Sequence, residues 1–196
     1  LGWCYMDTGA MYRAVALQAL EHGVPLNDGV LVAALAERLE IEFRDGRVLA
    51  DGRDVTTEIR TERVTRATRP VADARLVREA LKRMQRRMAV GLDLVTEGRD
   101  QGSEVFPDAE VKVFLTASPP ERARRRYDEE VARGVTSSLE SVAHEQARRD
   151  EGDRSRPIGR LEPAPDAVVL DTDGLSREQV IERLVDLVRS RGGAVR

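Results

Sequence analysis

The chain has 196 residues, 41% of them hydrophobic and 34% charged, with 32 basic against 35 acidic side chains for a net charge of −3. That balance suits one soluble core of ordinary size and argues against the basic field of a nucleic-acid-binding domain. No apolar run approaches the roughly 20 residues that cross a bilayer, and a lone cysteine, Cys4, excludes an intrachain disulfide or cysteine-built metal site and fits a reducing cytoplasm.

In chain order, residues 3–6 (Trp3-Cys4-Tyr5-Met6) read as the end of a buried strand, which Asp7-Thr8-Gly9 turns into a helix reaching about His22 and closed by Gly23. A short helix is expected over Val30 to Leu39. Small antiparallel hairpins follow over Ile41 to Arg44, Arg47 to Ala50 and Arg53 to Thr56, turned by Asp45-Gly46 and Asp51-Gly52. A long helix is expected from about Asp73 to Val90, with Val77, Leu81, Met84 and Met88 along one apolar stripe. Leu92 to Thr96, Val111 to Thr116 and Ala167 to Asp171 read as buried strands of a mostly parallel sheet. Capping boxes at Ser118-x-x-Glu121, Ser137-x-x-Glu140 and Ser176-x-x-Gln179 open three further helices; the last would dock on the sheet through Val180, Leu184 and Leu187. The alternation predicts an α/β fold without repeats.

Three stretches carry chemistry. In Asp7-Thr8-Gly9-Ala10-Met11-Tyr12-Arg13 a strand end delivers a hydroxyl and a helix N-terminus, with an arginine one turn on, which suits an anion. The plainer alternative makes Thr8 an N-cap and leaves Tyr12 and Arg13 on the surface. Glu97-Gly98-Arg99-Asp100 follows a strand at the point where open parallel sheets place their ligands; Arg99 suits a phosphate, and Asp100 could accept from an exocyclic amine such as the N4 of cytosine. Arg149-Asp150-x-x-Asp153-x-x-Arg156 would, if helical, set two arginines around one carboxylate on a single face; a solvated salt-bridged face is the alternative, and Gly152 weakens the helix.

In this order, and with Val105-Phe106-Pro107-Asp108-Ala109 after the second stretch, these motifs closely resemble the bacterial cytidylate kinases, from Tyr5 to Arg189. The resemblance implies a doubly wound parallel sheet of the P-loop kinase type, in one domain with its core over 1–29, 91–119 and 160–196. An inserted antiparallel lobe over about 30–90 would bind CMP, and a helical lid would span about 120–159. It further implies transfer of a phosphoryl group from ATP, with Mg²⁺, to CMP or dCMP in a cytoplasmic monomer. Thr8, Tyr12, Arg13 and Arg99 would hold the CMP phosphate, Arg78 and Asp100 would read the cytosine, Arg149 and Asp153 would meet the ribose, and Arg156 would bridge the phosphates. Arg13, Arg99, Arg149 and Arg156 are the expected catalytic cations, and Thr68 is the expected hydroxyl contact to the base. His22 and His144 have no metal-like spacing.

The chain departs from the family pattern most at the ATP end. No Gly-Lys pair occurs in it, so the Gly-x-x-x-x-Gly-Lys-Ser/Thr loop is missing; the expectation is that the first strand and this loop, roughly 25 to 30 residues, would precede Leu1, and that the chain alone is unstable or inactive. Glu97 replaces an aspartate, Gln101 an apolar residue, and Ile158-Gly159-Arg160 an Ala-Pro pattern. The alternatives are a UMP or AMP kinase, which Asp100 disfavours, and a non-catalytic CMP-binding remnant. An RNA-binding module built on Arg122, Arg124, Arg125, Arg126, Arg148, Arg149, Arg154 and Arg156 is opposed by net charge and by few aromatics.

Overall fold

The computed structural model describes residues 1–155 and 161–191, without the side chains of 149 and 153–155. Strands and helices alternate with parallel strand pairs, so the chain is an α/β protein. Two compact units divide it: Trp3–Gln101, and Gly102–Arg196 with Leu1–Gly2.

In the first unit, β1 (Cys4–Asp7) lies parallel to β5 (Leu94–Glu97), with Asp7 opposite Glu97. Helix α1 (Thr8–Glu21) starts where β1 ends. Its cap is Asp7, whose carboxylate accepts from Ala10 N at 2.9 Å, so Thr8 is not the N-cap but the first helical residue. Met11, Ala14, Val15, Leu17 and Ala19 are all buried, which makes α1 the core helix of this unit. Helix α2 (Gly29–Arg38) is capped by Asp28, and β2 (Ile41–Arg44), β3 (Arg47–Ala50) and β4 (Arg53–Asp54) form the antiparallel hairpins expected from the sequence. Their turns place Asp45-Gly46 and Asp51-Gly52 at positive φ, the left-handed pairs that a tight hairpin turn requires.

Residues 62–73, for which the sequence suggested no element, form helix α3 (Glu62–Asp73) in spite of Pro70. Its buried Val64, Ala67 and Val71 recur at helical spacing, and packing that stripe overrides the weak propensity of Thr and Pro. The chain then breaks at Ala74, in extended conformation, so α4 runs over Arg75–Met88 rather than from Asp73 to Val90; Val77, Leu81 and Met84 of the expected stripe are buried.

In the second unit, β6 (Val113–Thr116) lies parallel to β7 (Val168–Asp171); α5 (Pro119–Ala132) and α6 (Leu139–Ser155) follow β6 and pack on each other, and α7 (Arg177–Ser190) follows β7. Lys112 Nζ bridges Asp166, at 2.7 Å, and the carbonyl of Pro107 just ahead of this pair. Two of the three expected helix starts depart from expectation. At Ser118 only half a capping box forms: its Oγ accepts from Glu121 N, but the Glu121 carboxylate is taken by Arg124 and Arg125, and Ser118 N donates to Asp173 Oδ1 at 2.7 Å. The hydroxyl accepting from the first turn of α6 belongs to Ser138, not Ser137. The Ser176–Gln179 box is complete, yet none of α7 is buried, so Val180, Leu184 and Leu187 are only half covered.

The strands are not the buried ones the apolar runs implied. Tyr5, Val95, Leu115 and Val169 are exposed: in the β1–β5 pair Tyr5 stands opposite Val95 on the open face while Met6 is buried on the other, and in the β6–β7 pair Leu115 and Val169 lie on opposite faces with no residue of either strand buried.

Candidate functional site

The parallel order of β1 and β5 brings two chain turns together at their C-terminal ends: the start of α1, and the loop 98–101. Thr8, 2% exposed, joins them by donating its hydroxyl to Glu97 O at 2.6 Å. Gly98 has no room for a side chain, since an added Cβ would stand 2.6 Å from Thr8 Oγ1. Close by, the hydroxyl of the exposed Tyr5 donates to the Glu97 carboxylate, and partial desolvation of that hydroxyl together with the carboxylate pushes the phenol well above its usual range.

Cations line the same end of the unit. One turn along α1, Arg13 donates to Ile59 O at 3.1 Å and to Thr65 Oγ1 at 2.7 Å. Arg60 lies 3.7 Å from the Asp7 carboxylate, and Arg99 is exposed on the loop. With the positive end of α1, these three arginines stand at the same strand ends as the Asp7 and Glu97 carboxylates.

At the other end of the loop, Asp100 is buried and ion-paired to Arg78 of α4, itself 6% exposed. Arg78 Nη1 also donates to Ala72 O at 3.2 Å, and its guanidinium lies 5.8 Å from the centre of the Tyr12 ring. Its Nε is buried without a hydrogen-bond partner among the described residues. A buried donor left over is costly unless something else accepts from it.

Of the residues singled out from the sequence, Tyr12, Arg78 and Asp100 therefore form one connected group; Arg99 shares the loop of Asp100, and Thr8 of α1 is bonded to Glu97 O just ahead of that loop. Arg13 reaches instead toward Ile59 and α3. Arg149 and Asp153 fall within α6, in the second unit, with side chains outside the described residues; Arg156 lies outside the described residues altogether. The hydroxyl of Thr68 turns back to Val64 O of its own helix at 2.7 Å. Among the described residues no three His, Cys, Asp or Glu side chains converge as metal ligands, and no helix is long and apolar enough to cross a membrane.

The family model for cytidylate kinase matches residues 1–190. A cytidylate kinase of Rhodopirellula baltica is 47% identical over 189 residues, 96% of this chain and 82% of that protein. One of Geobacillus kaustophilus is 47% identical over 197 residues, covering 98% of this chain and 88% of its own length, and one of Pseudomonas savastanoi is 44% identical over 198 residues. The chain belongs to the cytidylate kinase family.

Cytidylate kinases are phosphotransferases, and the local arginine density around α1 is in keeping with that chemistry. Four residues near these strand ends were given no role in the sequence reading of the site. Arg60 and Thr65 sit in a stretch with no recognised element, and their approach to Asp7 and Arg13 depends on α3 folding back along α1. Gln85 is an unremarked polar residue beside the α4 stripe, and Gln101 stood out only as a polar departure at an apolar position; both are engaged beneath the loop.

Proposed function

We propose that this chain holds CMP or dCMP for phosphoryl transfer from MgATP. The observation that carries the reading is the buried Arg78–Asp100 pair with its spare Nε donor, set against Tyr12. A carboxylate accepts from the N4 amine of cytosine but repels the O4 carbonyl of uracil, and an arginine donor suits the ring carbonyl or ring nitrogen. Thr8, Tyr12, Arg13 and Arg99 are assigned to the CMP phosphate, Arg13 by exchanging its Ile59 and Thr65 partners for phosphate oxygens.

By resemblance, Arg149 and Asp153 are assigned to the ribose and Arg156 to the bridging of phosphates. The strand pairs are read as parts of a doubly wound P-loop kinase sheet in one domain. The segment of about 30–90 is the CMP lobe and that of about 120–159 a lid. The working protein is a cytoplasmic monomer acting on free nucleotides. Phosphoryl transfer asks for alignment and for neutralisation of charge spread over the moving group, which arginines supply without covalent chemistry. Mg²⁺ enters with ATP, on its phosphate oxygens. Because the sequence has no Gly-Lys pair, these 196 residues are expected to bind CMP while transferring phosphoryl slowly.

Calorimetric titration of CMP, dCMP and UMP into the chain tests the reading, alongside Asp100→Asn. CMP and dCMP should bind and UMP should not, with the preference for cytosine relaxing by about tenfold or more in the variant, the weight of one charge-assisted hydrogen bond. Equal affinity for CMP and UMP in the unsubstituted chain would refute it.

A further inference from the structure

Arg13 stands in the second turn of α1, yet two of the acceptors it reaches lie 46 and 52 positions further along the chain. Its Nη1 donates to Ile59 O at 3.1 Å and to Thr65 Oγ1 at 2.7 Å, so each proton of that nitrogen has an acceptor. The first belongs to the short turn Glu58–Arg60, the second to α3. Thr65 acts here as an acceptor, because its own hydroxyl proton goes to Thr61 O at 2.9 Å, one turn back at the cap of the helix. The residue is exposed, while Val64, Ala67 and Val71 form the buried stripe of α3. The bond to Arg13 and the docking of the helix therefore depend on different side chains.

Both of these acceptors are neutral and come from separate residues. A nucleotide phosphate instead brings charged oxygens that a guanidinium can take two at a time, in the fork geometry it is built for. Arg13 can thus leave the pair for phosphate, but an affinity measures only the difference between contacts made and contacts given up. What Ile59 O and Thr65 Oγ1 contribute to holding Arg13 is subtracted from the binding of the phosphate. One of the two is main chain, present whatever residue stands at 59. The other exists only because position 65 carries a hydroxyl.

We propose that Thr65 competes with the nucleotide phosphate for Arg13, and so tunes how much more tightly the chain holds a nucleoside monophosphate than the bare nucleoside. The proposal rests on the assignment of Arg13 to the CMP phosphate. Thr65 is a positioning residue in this scheme, acting on the substrate through the arginine. The competition has a sign: losing the hydroxyl strengthens phosphate binding, whereas losing a residue that steadied Arg13 for the phosphate would weaken it.

The test is calorimetric titration of CMP and of cytidine into the whole chain and into Thr65→Val, Thr65→Ala and Thr65→Ser, with melting temperatures measured alongside. Valine keeps the branched shape at an exposed helix position and removes the acceptor; alanine removes it without adding a methyl group. In both, the dissociation constant for CMP should fall about three- to tenfold, the net weight of one hydrogen bond at an exposed position, while that for cytidine stays as it was. Thr65→Ser restores the acceptor and should return the preference for CMP over cytidine to its unsubstituted value. A preference that is unchanged or lowered in Thr65→Val and Thr65→Ala would overturn the proposal, as would an equal gain for cytidine, which reports a change in the lobe as a whole. If the unsubstituted chain holds CMP no more tightly than cytidine, the phosphate assignment of Arg13 falls and this proposal with it, whereas a phosphate preference that valine and alanine fail to raise overturns this proposal alone.

Discussion

The buried Arg78–Asp100 pair makes the sharpest energetic prediction. Both residues are under 10% exposed and in direct contact, so neither charge has water to fall back on. Asp100→Ala strands a guanidinium left with one hydrogen bond among the described residues, to Ala72 O, and the Tyr12 ring, and breaking a buried pair from one side costs about 3–5 kcal/mol. In a unit of about 100 residues each kcal/mol moves the melting temperature by roughly 4–8 °C, so a loss of at least ~12 °C is expected in thermal unfolding followed by circular dichroism. Arg78→Met with Asp100→Leu removes both charges and leaves an apolar contact of similar volume, which buried pairs commonly tolerate at little cost. The double variant should therefore be the more stable of the two, though unable to select cytosine. A shift under ~4 °C for Asp100→Ala, or a double variant no more stable than it, would show that the pair is effectively solvated and that the assumed low-dielectric site is wrong.

Three other outcomes are expected. Gly98→Ala forces a Cβ to within 2.6 Å of Thr8 Oγ1, which is fixed to Glu97 O; overpacking of this kind costs about 1–3 kcal/mol, and calorimetry should show weaker CMP binding as Thr8 is displaced. The hydrogen bond from Arg124 first, with that from Arg125, holds the Glu121 carboxyl below its ordinary value of 4.5. A depressed folded value means stability present above 4.5 and lost as pH falls through the folded value, so Glu121→Gln should lower the melting temperature at neutral pH and the difference should close in acid. Ser176→Ala removes the hydroxyl half of the complete capping box at the start of α7, a loss of about 1 kcal/mol. Since α7 has no buried residue, faster amide hydrogen exchange should be confined to that helix; loss of cooperative unfolding throughout would contradict its half-covered packing.

Local pattern was enough for α1, α2 and the three hairpin strands, because caps, Asp-Gly turns and alternation act within a few residues. It was also enough to single out Thr8, Tyr12 and Asp100, which stand in compact, ordered motifs, whereas Arg78 came only from the family resemblance. Burial was not legible in this way. An apolar run in β1 or β6 looks the same whether helices cover one face or two, and only the assembled unit shows Tyr5 and Leu115 facing outward. Nor was α3 legible, since Pro70 and the threonines argue against a helix until Val64, Ala67 and Val71 find α1 to pack on. The contacts of Arg13 with Thr65, of Arg60 with Asp7 and of Gln101 with Gln85 join residues from 16 to 53 positions apart. A sequence names the chemistry each of those side chains can perform, but the folding back of α3 and α4 onto the ends of β1 and β5 decides which of them meet.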